Sequence, residues 1–187
     1  MAYQAKRTNY KGMWFKSNLE AKTAEAFDRL GIRWEYESRC FRDRRYSGGQ
    51  YTPDFWLPDA YTYVEVVGRI DDRHYNNAIT FITNMRVHSP YETREIIQNG
   101  RYLMPWDMPK IEAPSDDTPC FAFVIGSGMI KVLDESTLSD GSVFRCRKCG
   151  KVSFIDSRNK WSCIHCGHYD ESYGCNFSLF ELAGMYA

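Results

Sequence analysis

Hydrophobic and polar positions first take a helical period after Ser17. Within residues 18–30, Leu19, Thr23, Ala24, Phe27 and Leu30 fall on one side of a helical wheel, and Lys22, Glu25, Asp28 and Arg29 on the other. Ser17 suits the N-cap and Gly31 the C-terminal stop, so the spacing predicts an amphipathic helix between them. Glu20 falls inside the apolar stripe. Ser17-x-x-Glu20 reads as a capping box, in which Glu20 reaches back to the Ser17 N–H. The other reading is a carboxylate aimed at a buried metal site.

The period then changes to two. Ile32, Trp34 and Tyr36 alternate with charged residues, which predicts a half-buried strand over 32–37. Residues 51–57 and 61–67 read as two strands joined by a Pro58-Asp59-Ala60 turn, with Gly68 ending the second. A helix is expected over 72–86, with Tyr75, Ala78, Ile79, Ile82 and Met85 on one side. Residues 87–118 are aperiodic and rich in proline, and read as a surface excursion. The continuous apolar run 120–125 suits a buried strand, and Gly126-Ser127-Gly128 turns it into a partner over 129–133. Helix, strands, helix, strand is the order of a mixed α/β domain.

Composition adds a small module to that domain. A chain of 187 residues with 43% hydrophobic content has room for a packed core and one appendage. No run of apolar residues is long enough to predict a membrane span, and the N-terminal stretch lacks the apolar region of a secretory signal. The seven cysteines are odd in number and four sit in two CxxC pairs, which points to metal in a reducing compartment rather than to disulfides.

Those four are Cys146, Cys149, Cys163 and Cys166. Each pair is followed by glycine, and 13 residues separate Cys149 from Cys163. Two such knuckles close a tetrahedral Zn²⁺ shell with no open position, so the expected site is structural. Val152–Ile155 and Lys160–Ser162 are expected to be short strands of a zinc ribbon. His165 and His168 are unneeded by a complete Cys₄ set. Cys40 and Cys175 read as ordinary residues and Cys120 as core.

Formal charge sums to zero but is uneven, at +5 over residues 1–50, −7 over 51–141, +5 over 142–168 and −3 over the remainder. Two basic regions around an acidic one suit a polyanion held at its ends with a metal site between, or are ordinary scatter. In the ribbon, Arg147, Lys148 and Lys151, with Arg145, Arg158 and Lys160, interleave with Phe154 and Trp161. Cations can meet phosphates there while a ring stacks on a base. The bland alternative is a solvated surface that contacts protein. The basic loop carrying Arg39, Arg42, Arg44 and Arg45 faces the same two readings, and its closeness to Asp54 favours substrate contact.

The most informative feature is Pro53-Asp54-Phe55 followed by Val64-Glu65-Val66-Val67-Gly68. The two carboxylates lie on adjacent predicted strands among aromatic and β-branched residues. In a low dielectric they repel unless a cation neutralises them, and Mg²⁺ or Mn²⁺ does so through oxygen ligands. Here the chain resembles the PD-(D/E)xK nuclease superfamily, most of all its small phage and bacterial endonuclease-like members. The resemblance runs from about Lys16 to Ile125. It rests on the helix from Ser17 to Phe27, Leu30-Gly-Ile-Arg-Trp-Glu-Tyr-Glu37, Tyr51-Thr-Pro-Asp-Phe-Trp-Leu-Pro58 and Tyr63-Val-Glu-Val-Val-Gly68.

The resemblance implies a mixed central sheet flanked by helices, as in restriction endonucleases, and metal-assisted hydrolysis of phosphodiester bonds in DNA. Asp54 and Glu65 would bind Mg²⁺ or Mn²⁺, with Glu20 as the first-helix acid of the site and the Val66 carbonyl as a further ligand. The departure is Val67, which stands where such proteins carry a lysine. Lys16, on the Glu20 side of the helix, is the expected substitute in the catalytic set. Two classes follow: an active metal-dependent nuclease, and a nuclease-fold protein that no longer cuts and binds nucleic acid or a protein instead. The domains are expected over 1–139 and 140–187. The expected partners are DNA and, through the ribbon, a protein, with no membrane; homodimerisation would allow two strands to be cut. The expected location is the cytoplasm, that of the bacterial host if the chain is phage-encoded.

Overall fold

The computed structural model describes residues 6–87, 96–98, 101–103, 119–134, 137–156, 163, 165–169 and 178–185. It opens with a hairpin of β1 (Thr8–Tyr10) and β2 (Met13–Phe15), followed by α1 (Asn18–Leu30). Then come β3 (Glu35–Tyr36), β4 (Cys40–Arg42), β5 (Gln50–Tyr51), β6 (Phe55–Leu57), β7 (Thr62–Val67) and α2 (Asp72–Val87). A second hairpin, β8 (Ile96–Gln98) and β9 (Arg101–Leu103), precedes β10 (Cys120–Ile125), β11 (Met129–Asp134), β12 (Thr137–Arg145), β13 (Val152–Asp156) and α3 (Leu179–Leu182).

Seven strands form the main sheet in the order β13-β12-β11-β10-β7-β6-β3. β7 and β10 run parallel, with Glu65 beside Phe123, and every other pair is antiparallel. The fold is therefore mixed α/β, as expected. Because strand side chains alternate, the sheet has two apolar faces. Phe55, Leu57, Val64, Val66, Ala122 and Val124 cluster with Ala21, Ala24 and Phe27 of α1. Trp56, Tyr63, Val67, Phe121 and Phe123 cluster with Ala78, Phe81 and Ile82 of α2. Alternation places Glu65 on the second face, between Tyr63 and Val67.

Several expectations need correction. The strand over 32–37 shrinks to Glu35–Tyr36. The single strand over 51–57 is two strands in different sheets, because Pro53 supplies no N–H to continue a ladder. Asp54 lies in that break rather than on a strand. Within the stretch read as an excursion, β8 pairs with β4 and β9 with β8 in a four-stranded sheet, order β5-β4-β8-β9. Cys120 is half-buried at the start of β10 rather than core. The side chain of Met85, the strand over 160–162 and Cys175 lie outside the described residues.

The 139/140 boundary falls inside the nine-residue β12, and β13 pairs with β12 at the sheet's edge. α3 returns to the first face, where Leu179 and Phe180 join the α1 core. Its docking depends on Gly128: the Leu179 N–H donates to the Gly128 carbonyl, and a Cβ at Gly128 would lie 2.6 Å from the Phe180 ring.

Candidate functional site

Two groups of chemically active side chains sit at opposite ends of α1. Glu20, in its first turn, belongs to the carboxylate group. Leu30, its last residue, touches the cysteine module. At about 1.5 Å of rise per residue, they are about 15 Å apart along the axis.

At the N-terminal end, Glu20 is buried at 6% exposure. Ser17 caps the helix as expected, its Oγ accepting from the Glu20 N–H at 3.1 Å. The capping box in its expected form is not made, because the Glu20 carboxylate turns elsewhere. It accepts from Ser17 Oγ at 2.7 Å, the Lys16 N–H at 3.0 Å and the Tyr36 hydroxyl at 2.5 Å.

Asp54 is 9% exposed and accepts from the Val66 N–H at 2.7 Å, which ties the break before β6 to β7. Glu65 accepts from the Tyr51 hydroxyl at 2.9 Å and from the Asp54 N–H. Glu37 joins the group from the loop after β3. Its N–H donates to the Asp54 carbonyl, its backbone takes a left-handed φ of 44°, and its carboxylate pairs with Lys16 Nζ.

The electrostatics match this convergence. Burial, then the charges of Glu65 and Glu20, push the Asp54 carboxyl well above its ordinary range. Burial pushes Glu65 up to about 7, Tyr51 and the Asp54 N–H oppose that, Glu20 adds to it and Lys16 opposes it. Desolvation works to lower the Lys16 ammonium, but the bond to Glu37 and the charges of Glu37, Asp54 and Glu20 hold it above its ordinary value. The structure thus brings Glu20, Asp54, Glu65 and Lys16 together. Val67, 5% exposed, packs in the apolar cluster of Tyr51, Phe81 and Phe121.

Carboxylate oxygens are the donor type that a hard divalent cation takes. A carboxylate offers about four lone-pair sites. Among the described residues Asp54 accepts one hydrogen bond, Glu65 two and Glu20 three. Spare capacity therefore falls in the order Asp54, Glu65, Glu20. The ligand oxygens of the trio do not all lie within 4.8 Å of one another.

At the other end of α1, the sulfurs of Cys146, Cys149, Cys163 and Cys166 all lie within 4.8 Å of one another, as no other set of metal-capable side chains does among the described residues. The two knuckles are near copies. The Gly150 and Gly167 N–H groups donate to the Cys146 and Cys163 carbonyls, each at 2.8 Å, and both glycines have positive φ, which lets the chain fold round the sulfurs. Sulfur pairs lie 3.6 and 3.7 Å apart. A zinc–sulfur bond of about 2.3 Å gives tetrahedral edges of about 3.8 Å, so the cluster is compatible with structural zinc.

Arg145 docks this module. Its guanidinium donates to the Gly150 carbonyl at 2.9 Å and to the Leu30 carbonyl at the end of α1. Lys151 and His165 also act electrostatically on Asp59 in the β6–β7 turn.

Of the basic residues singled out, Arg147, Lys148 and Lys151 are exposed on the first knuckle, and Arg42, the last residue of β4, and Arg44 after it are exposed. Arg45 holds Asp43 and the buried Asn84, so its charge is engaged in packing the loop against α2. Arg158, Lys160, Trp161 and the Phe154 side chain lie outside the described residues. Sequence reasoning missed Tyr36, Glu37 and Tyr51. Tyr36 carried a signal, since it alternates with Glu35 and Glu37, and the structure sets it opposite Phe55, next to Asp54. Tyr51 carried none, because its strand belongs to another sheet.

No protein-family model matches the chain, and no curated protein or solved structure is significantly similar to it. No helix among the described residues is long and apolar enough to cross a membrane.

Proposed function

We infer that the chain is a divalent-metal-dependent nuclease that hydrolyses phosphodiester bonds in DNA. The observation that carries this reading is the convergence of three desolvated carboxylates, from α1, the β5–β6 break and β7, with one lysine beside them. Four titratable groups from separate elements, with the Asp54 and Glu65 carboxyls driven upward by burial and by neighbouring charge, suit a cation-binding hydrolytic site. The parallel β7–β10 pair flanked by α1 and α2 supports a restriction-endonuclease-like core.

Asp54 and Glu65 would hold Mg²⁺ or Mn²⁺, and Glu20 would add its charge from behind, fixed by Ser17, Lys16 and Tyr36. The bound cation would polarise the phosphate and offset charge on it. Tyr51 orients Glu65, and the Val66 N–H orients Asp54. Lys16 takes the part that Val67 cannot: released from Glu37, its ammonium would face the attacking water and the phosphate oxygens. The cysteine cluster would hold Zn²⁺ as a structural staple, with Arg147, Lys148 and Lys151 presented to DNA or to a protein.

A second reading is a binder that no longer cuts, and the packing of Val67 into the apolar cluster favours it. Incubating the chain with single-stranded, duplex and branched DNA in Mg²⁺ and in Mn²⁺ separates the two. Cleavage abolished by Asp54→Asn and by Glu65→Gln is expected. Tight binding without cleavage of any form would select the second reading.

A further inference from the structure

We propose that the β1–β2 hairpin is a binding platform for single-stranded nucleic acid, with Trp14 stacking on a base beside the carboxylate group. This rests on the nuclease reading for what happens to the bound strand, but its own evidence is separate. Trp14 is 60% exposed, the highest value among the large hydrophobic side chains described. Its ring makes no aromatic or hydrogen-bonding contact among the described residues. Neighbouring Phe15 is fully buried and packs against Trp34, Tyr36 and Phe55. Alternation along β2 therefore turns Trp14 outward while Phe15 anchors the strand.

The hairpin that carries Trp14 is tied to α1. Tyr10 Oη and Lys11 Nζ both donate to Asp28 of α1, at 3.0 and 2.6 Å, and Asn9 Oδ1 accepts from the Gly12 N–H in the turn. A tethered hairpin loses little backbone freedom when a base settles on Trp14.

Charge selects the occupant. No acidic residue precedes Glu20, whereas Lys6, Arg7, Lys11 and Lys16 do. Asp28 neutralises Lys11, which leaves Lys6 and Arg7 for phosphates, with Lys16 joining them once it leaves Glu37. Lys16 follows Trp14 by two residues, in the bend just past β2. Its ammonium already reaches Glu37 and feels Asp54 and Glu20. A strand whose base stacks on Trp14 would thus pass its next phosphate toward the carboxylates. Stacking needs an unpaired base with a free face, so the platform selects single strands over duplex.

The test uses the full chain with Ca²⁺ in place of the catalytic cation, so that binding is read without cutting. The probe is a fluorescein-labelled oligothymidylate of about 20 nucleotides, compared with a duplex of similar length. Trp14→Ala and Trp14→Leu are expected to weaken single-strand binding about tenfold, while Trp14→Phe and Trp14→Tyr retain most of it. Thermal unfolding of all four variants should match the parent, since the ring is exposed. If Trp14→Leu binds as the parent does, or if only duplex binding depends on the ring, the platform is wrong. If no variant alters oligonucleotide affinity but Trp14→Ala abolishes association with a second protein, the surface is a protein contact and the inference fails. Trp14-dependent binding without cleavage in Mg²⁺ or Mn²⁺ would uphold the platform and remove the hydrolase reading alone.

Discussion

The two ends of α1 carry opposite solutions to the same problem, how to bring like groups close together. At the C-terminal end four cysteines sit in two local knuckles whose backbone hydrogen bonds repeat almost identically. Each knuckle shapes itself, and a single cation would satisfy all four sulfurs. At the N-terminal end three carboxylates arrive from three elements, each with hydrogen-bonding capacity left over. The cysteine end spends its ligands on stability. The carboxylate end crowds three acids whose charges disfavour ionisation of Asp54 and Glu65, a cost that under the nuclease proposal a cation and a substrate would relieve.

The sharpest way to break this contrast is to remove metal from each end in turn. Cys149→Ser, or a chelator strong enough to strip zinc, should release one equivalent of zinc per chain and lower stability by several kcal/mol, because ligand binding and folding of the knuckles are one event. Thermal unfolding with and without added zinc measures it. Stripping Mg²⁺ or Mn²⁺ with a milder chelator should leave the unfolding midpoint nearly unchanged at low pH. Equal effects at both ends would erase the distinction between staple and reactive site.

The next test reads the cost at the carboxylate end directly. Glu65 has a folded pKa raised from 4.5 to about 7, so the folded chain binds more protons than the unfolded one between those values. Its contribution is therefore fully present below pH 4.5 and is lost as pH rises through about 7, and the raised Asp54 acts in the same direction. For Glu65 the loss is on the order of 3 kcal/mol in metal-free protein. Glu65→Gln should remove that part of the slope and stabilise the chain near pH 8, while saturating Mn²⁺ should flatten the parent's profile. Urea unfolding across this range would show it. A parent whose stability rises with pH over the window would contradict the desolvated-carboxylate picture.

The same contrast explains what could be read before the fold was known. The cysteine site is local in sequence, so CxxCG repeated across 13 residues was enough. The carboxylate site was half legible. Asp54 and Glu65 stood out because charge among β-branched and aromatic residues needs a reason, and Glu20 because it broke an apolar stripe. Their partners were hidden. Tyr51 reaches Glu65 from another sheet, and Lys16 meets the acids through Glu37, whose left-handed backbone no pattern announces. The union of the cysteine module with the main sheet was hidden too, because β12 looks like the end of one domain until its register with both β11 and β13 is seen.

Lys16 offers a test of intermediate size, on rate rather than stability. Lys16→Ala should lower cleavage about a hundredfold or more while leaving oligonucleotide affinity within a fewfold, because the ammonium matters most where charge develops. Glu37→Gln should change the rate less and mainly alter its pH dependence, since it loosens the pair that holds Lys16 at rest. A Lys16→Ala variant with full activity would return the missing role to another cation.

The smallest effect concerns the link between the two ends. Arg145 is exposed, yet its guanidinium bridges the first knuckle and the end of α1 through the Gly150 and Leu30 carbonyls. The last carbonyls of a helix lack intrahelical partners and carry partial negative charge, so a cation there is favourable, but water competes for it. Arg145→Ala should therefore cost only about 1 kcal/mol of global stability. Its larger consequence should be local. Amides around Cys146–Lys151 should exchange faster, and zinc should transfer more quickly to a chromophoric chelator, while the pH dependence set by Glu65 stays as in the parent. If Arg145→Ala also shifted that pH dependence, the two ends would be coupled through α1, and the helix would be a relay rather than a spacer.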